Sequence, residues 1–458
     1  MNPRALSRRS CQLSLVRAIL LVAAAVLLPL SVSSASQAAG GGSKSAAEIQ
    51  ALIDQAEPDT VIVVPPGVYA GTLKIHKRVA LLADGLVQLI NNSADAGIHI
   101  TADQVVMNGF TIIDTATKDA PTVWVEANAV KLERMHIRTA SHGIKLIGAR
   151  HGEIRDSTIV WDTADAPEVK LSLRKNGIDL YDAHENLIIG NTLTGMHDGI
   201  YIENSHDNRV QDNQVDHMRY GIHTMYASGS VISGNTGSYN ITGAMVMAAK
   251  ATEVSHNTFI KQSENVHSQG ILLFDAHDSR IDHNRVQGNR VGMYVEMSSD
   301  NVFTWNRIED NFIGMQFIEA SANRLSNNAF TGNVIHAEAR LSPDNEMDGN
   351  FWDSFIGIDT DGDGRSEITH AINPFYPSVV RSRPAFQLFF QSPSMLFLEG
   401  MFLGEREAWL ADNMPLMERP GRGATAPTVQ SGRGTGGIGV ILILVALSTI
   451  LYLGVRRT

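Results

Sequence analysis

Seven glycines, each followed fourteen residues later by an asparagine, govern what this 458-residue chain can fold into. Gly177, Gly199, Gly221 and Gly243 stand 22 residues apart, as do Gly270, Gly292 and Gly314. The asparagines are Asn191, Asn213, Asn235, Asn257, Asn284, Asn306 and Asn328. The longer interval from Gly243 to Gly270 carries five extra residues after Asn257, and the register then recovers. Gly143 opens an earlier, degenerate unit with Ser157 at the asparagine position. Short strand-like segments follow each glycine (GIDLY, GIYIE, GIHTM, GAMVM, GILLF, GMYVE, GMQFI), without helical periodicity. Such a repeat predicts an all-β, right-handed parallel β-helix whose coils share one core because none can bury its own apolar face. The asparagines are expected to form an internal ladder, each amide bonding to the next coil.

Within each strand the first and third residues after the glycine are mostly apolar and predicted to face the core; the second and fourth face outward. The outward pairs include Asp179/Tyr181, Tyr201/Glu203, His223/Met225, Met245/Met247, Leu272/Phe274 and Tyr294/Glu296. His223, Met225, Met245 and Met247 thus form a square on two neighbouring coils, where a sheet in water ordinarily carries Lys, Glu or Thr. Imidazole with thioethers suits Cu(I), whereas zinc favours Cys or carboxylates and calcium favours oxygen. Further candidates near the same strands are His217 and Met218, with Met196, His197, Glu203 and Tyr226 beside them. Two other readings stay open: a methionine-rich surface that a partner covers, and a carbohydrate groove.

A second motif, DTDGDGRSE at residues 359–367, matches the first half of an EF-hand loop. Asp359, Asp361 and Asp363 alternate, Gly364 sits at the turn, and Glu367 partly substitutes for the missing last ligand. Structural Ca²⁺ is the expectation, against a solvated acidic turn.

The ends divide the chain into segments. Residues 1–38 have basic residues, an apolar run and small residues, the layout of a secretory signal peptide, with Sec favoured over twin-arginine export. The β-helix is expected over 45–350, a C-terminal cap with an apolar docking segment over 351–415, and a flexible linker over 416–436. Residues 437–455, closed by Arg456 and Arg457, read as one transmembrane helix tethering an exported body with its basic tail in the cytoplasm. The single cysteine, Cys11, lies in the leader, so the body has neither thiolate nor disulfide. A net charge of −11 argues against nucleic acid as a partner.

Three stretches together, RYGIHTMYASGSVISGN (219–235), RVGMYVEMSSDNVFTWNRIEDN (290–311) and GNFWDSFIGIDTDGDGRSE (349–367), resemble the NosD family of extracytoplasmic maturation proteins for nitrous oxide reductase. The tail NPFYPSVVRSRPAFQLFFQSPSMLFLEGMFL extends the likeness, which covers roughly residues 45–405. The resemblance implies a non-enzymatic accessory that works with the membrane subunit of an ABC transporter. It also implies help in supplying copper or sulfur for the reductase's copper–sulfide centre, with a copper chaperone and the reductase as partners. His223, Met225 and Tyr226 match a motif of that family. The C-terminal span departs from its pattern. The competing class is a β-helix polysaccharide lyase or epimerase, or a carbohydrate-binding surface solenoid. Against an enzyme, Asp179, Glu203 and Glu296 lie on separate coils and form no evident carboxylate pair.

Overall fold

The computed structural model describes residues 43–163, 169–262, 265–389, 392–402 and 409–421. They form a parallel β-solenoid. One face is a 12-stranded sheet that includes Asp198–Glu203, Tyr220–Met225, Thr242–Lys250 and Gln269–His277 as successive neighbours. Two narrower ladders complete each coil, one through Leu187–Ile189, Arg209–Gln211 and Val231–Ser233, the other through Thr192–Thr194, Gln214–Asp216 and Thr236–Ser238. Every rung of these ladders is parallel, as expected when each strand pairs with its equivalent one coil later.

The glycines follow from close coil stacking. A Cβ on Gly221 would stand 2.6 Å from the Gly243 carbonyl oxygen and 2.7 Å from the Val215 side chain. The two coils therefore approach more closely than a side chain allows.

The asparagines form the predicted ladder. Asn213 donates its backbone N–H and its side-chain Nδ2 to Asn235 Oδ1 (2.9 and 3.0 Å), and Asn235 repeats this on Asn257. The pattern continues through Asn284, Asn306 and Asn328 to Asn350. Shorter ladders flank it five residues to either side, through Asn301, Asn323 and Asn345, and through Asn289, Asn311 and Asn333.

Helix α1 (Ala46–Gln55) starts at Ser45, whose hydroxyl accepts from the Ala47 N–H, and buries Ala46, Ile49 and Ile53 in the solenoid core. At the other end the short strand Phe351–Trp352 adds the last rung. Asp412 terminates the asparagine ladder there, its carboxylate accepting from the Gly349 and Asn350 amides (both 2.8 Å) and from Trp352 Nε1 (2.9 Å). Helices α2 (Phe375–Ser382) and α3 (Pro393–Met401) place Tyr376, Val380 and Met395 in an apolar cluster with Val291, Ile313 and Ile335.

Two expectations are corrected. The expected C-terminal transmembrane helix is not part of this fold: among the described residues no helix is long and apolar enough to cross a membrane. Residues 437–455 lie outside the described residues, as does the expected leader over 1–38. The chain also does not leave the body at 416. Leu416 bridges to Phe351 and Arg365, Met417 N–H donates to the Gly364 carbonyl (3.0 Å), and Arg419 pairs with Glu309. Flexible composition around Pro420 is outweighed there by these hydrogen bonds.

Candidate functional site

The wide sheet sets the geometry. In its register Tyr201, His223, Met245 and Leu272 are successive neighbours, as are Glu203, Met225, Met247 and Phe274. Strands in one sheet are about 4.8 Å apart, so the square of His223, Met225, Met245 and Met247 is present on the outward side. The three methionines are half-buried. His223 is not exposed as an outward residue should be, with only 6% of its surface accessible.

Its burial comes from a polar cluster that the repeat pattern does not announce. His223 Nδ1 lies 3.0 Å from Asp198 Oδ2, one coil earlier. Arg219 grips the same carboxylate with both ends of its fork, Nε to Oδ1 at 2.8 Å and a terminal nitrogen to Oδ2 at 2.7 Å. The guanidinium in turn covers the Tyr220 ring at 4.3 Å. Tyr201 and Tyr220 flank the imidazole, each with its ring centroid 4.9 Å away. Burial pushes the Asp198 carboxyl up, but the hydrogen bonds from His223 and Arg219, with the Arg219 charge, outweigh it and hold the group below the usual range. Asp198 is therefore an anion placed to accept from His223 Nδ1–H, and on that tautomer Nε2 is the free acceptor; Nε2 is buried with no hydrogen-bond partner.

A carboxylate on one imidazole nitrogen and a bare lone pair on the other is the arrangement that orients a histidine toward a metal. Nε2 could serve as a ligand, and the thioethers of Met225, Met245 and Met247 at neighbouring register positions are soft donors of the kind that suit Cu(I). His197 adjoins the cluster, its Nδ1 3.9 Å from Asp198, and burial holds its pKa below the ordinary value.

Two of the residues grouped with this site do not join it. Met218 is 1% exposed and fills the core at a coil corner, where Asn240 stands one coil later; its backbone N–H donates to Asn240 Oδ1 at 3.0 Å. The inward direction of that corner position excludes its sulfur from the outer face. His217 is exposed on a different column, stacked on Tyr239 at 5.2 Å. Met196, at the equivalent corner of the preceding coil, is likewise in the core. Asp198 begins a strand and is 1% exposed, and Asp179 is buried beside His142 (3.3 Å) and Asn176 (2.8 Å).

In the acidic loop, Asp359, Asp361 and Glu367 bring one carboxylate oxygen each within 4.8 Å of one another. Asp363 stands apart from that group, accepting from the Arg365 N–H at 2.8 Å. Asp359 accepts from the Gly362 and Gly364 amides, and Glu367 from Thr360.

A family profile described as "Periplasmic copper-binding protein (NosD)" matches residues 163–357, the coils that carry the cluster. A protein of Pseudomonas aeruginosa named "Probable ABC transporter binding protein NosD" is 34% identical over 383 residues, covering 77% of this chain and 87% of that protein. A protein of the same name from Stutzerimonas stutzeri is 31% identical, covering 87% of this chain and 94% of its own length. Among solved structures, a family 28 exopolygalacturonase of Yersinia enterocolitica is 11% identical with a TM-score of 0.53, covering 68% of this chain and 76% of its own, a likeness of fold alone. With a relative matched at this identity across nearly its whole length, the chain belongs to the NosD family.

Proposed function

We propose that this protein is an extracytoplasmic accessory for maturation of nitrous oxide reductase, working with an ABC transporter and passing Cu(I) across the His223/methionine face. The observation that carries the reading is His223, its Nδ1 committed to Asp198 and its Nε2 buried without a partner, beside Met225, Met245 and Met247. A cargo ion needs a site that releases it. Thioethers on a rigid sheet supply weak, soft ligation without a thiolate cage. The family description and the relatives' names, copper-binding and transporter-binding, agree with this chemistry. Exposed Leu388, Phe389, Phe397, Leu398 and Met401 in and beside helix α3 supply apolar surface for the transporter's membrane subunit.

The role is non-enzymatic in this reading. Asp198 is paired with Arg219 and hydrogen-bonded to His223, and Asp179 lies beside His142 and Lys145, so these buried carboxylates are committed to structural partners rather than to acid–base work. We also assign the carboxylates of Asp359, Asp361 and Glu367 a structural Ca²⁺, with Asp363 in the same loop but apart from them.

The test is Cu(I) binding by the purified protein in competition with a chromophoric Cu(I) chelator. The parent is expected to withdraw a single equivalent, and a His223→Ala/Met225→Leu/Met247→Leu variant none. Failure of the parent to compete overturns the copper assignment.

A further inference from the structure

A second cluster of metal-ligating side chains lies at another corner of the coil, away from the methionine face. His256 occupies the turn between the strands Glu253–Ser255 and Thr258–Ile260, and His283 the same turn one coil later. Their rings stack in parallel, 4.7 Å between centroids and 1° between planes. Trp305, at the equivalent place on the following coil, stacks on His283 at 6.1 Å. Both imidazoles are exposed.

Beneath them is Asp282, only 2% exposed. His283 Nδ1 (2.7 Å) and Arg280 (3.0 Å) both contact its Oδ2. Its other oxygen, Oδ1, is buried and has no hydrogen-bond partner. A buried carboxylate oxygen left unsatisfied is destabilising, and a bound cation would satisfy it. His256, Asp282 and His283 each present one ligand atom within 4.8 Å of the other two.

We propose that His256, Asp282 and His283 form a binding site for a borderline divalent cation, distinct in chemistry from the soft His/Met face. Two imidazoles and a carboxylate suit first-row M²⁺ ions, with Cu²⁺ bound most tightly and Zn²⁺ next to it, and they offer nothing that selects Cu(I). Exposure of the two rings gives an ion direct access and leaves coordination positions open to water. Arg280 contacts Oδ2 and leaves Oδ1 uncovered.

The experiment uses the untagged, metal-free full chain with Zn²⁺ and Cu²⁺ as separate probes. Zn²⁺ is titrated against a chromophoric zinc chelator. The parent is expected to bind a single equivalent, His256→Gln/His283→Gln to bind at least about 100-fold more weakly, and His136→Gln, at an exposed histidine on a distant coil, to match the parent. Cu²⁺ is followed by quenching of tryptophan fluorescence, since a paramagnetic ion on His283 sits against the Trp305 indole. Trp305→Phe is expected to keep the Zn²⁺ affinity and to lose most of the quench. Stoichiometric Zn²⁺ binding that survives the double variant overturns the proposal. So does a Cu²⁺ quench that survives Trp305→Phe, a reading that holds even if the double variant fails to fold.

Discussion

Asn235→Ala removes one rung from the middle of the asparagine ladder, and its cost can be worked from the bonds it breaks. The side chain is fully buried. Its Nδ2 donates to the carbonyls of Val210 (2.9 Å) and Ser233 (3.1 Å) and to Asn257 Oδ1 (2.9 Å). Its Oδ1 accepts both donors of Asn213. After truncation, Asn213 Nδ2 keeps the Ile188 carbonyl, and Asn257 Oδ1 keeps the Asn235 backbone N–H. The Asn213 backbone N–H is the group that loses its acceptor outright. Lost bonds at about 1 kcal/mol each, plus about 1–3 kcal/mol for that stranded donor, discounted for non-additivity, give roughly 3–5 kcal/mol. Because each coil touches only its neighbours, the damage should appear locally as well as globally. Urea denaturation measures the global loss, and hydrogen exchange at the Asn213 amide measures the local one. A loss under about 1 kcal/mol with unchanged protection at Asn213 would refute the claim that the ladder satisfies otherwise orphaned groups.

Further tests address the site and the cap. Asp198→Asn gives His223 and Arg219 an amide in place of a shared anion, so Cu(I) affinity should fall about 10–100-fold in the chelator competition, while Met218→Leu leaves it unchanged. An unaltered affinity in Asp198→Asn removes the carboxylate from the mechanism. Chelating Ca²⁺ should lower the melting temperature of the parent, and Asp359→Ala should abolish that difference; scanning calorimetry with and without Ca²⁺ reads both. His370, under the C-terminal helices, has its pKa pushed down to about 4 by burial, with His336 adding repulsion. A histidine held neutral in the fold contributes stability that is complete above its unfolded value near 6.5 and lost as pH falls toward 4. Between pH 7 and pH 4.5 the cap should therefore lose about 2–3 kcal/mol, measurable by denaturation at each pH, and His370→Phe should flatten that slope.

Much of this molecule is legible in the sequence because a solenoid repeats its own geometry. The 22-residue spacing sets the coil, the asparagines set the ladder, and alternation sets which residues face out; the register of His223 with Met245 follows by counting. The flanking ladders are harder to see because their positions are shared among Asn, Ser, Thr, Gln and Met. Met218 stands in one of them, which is why its side chain turns inward although it lies close in sequence to His223. The Asp198–His223 contact joins residues 25 apart, a diagonal step between coils rather than a repeat. A signal for it did exist: Asp198 directly precedes Gly199, at the place where other coils carry Asn176, Tyr220, Thr242 and Gln269, and it alone of these is ionised. The His256/His283 pair leaves only a trace, two histidines each one residue before a ladder asparagine.

The closure at Asp412 bears on what the end of the solenoid can offer to another chain. Coils that all present the same hydrogen-bonding edge set no length of their own, and an uncovered last coil would accept the first coil of another chain as readily as its own successor. By turning the final asparagine's donors onto a carboxylate, Asp412 offers a newcomer acceptors already in use, while helix α1 covers the opposite end. Both ends of the solenoid are thus covered by side chains and a helix that belong to no repeat, which disfavours edge-on addition of another chain's coil.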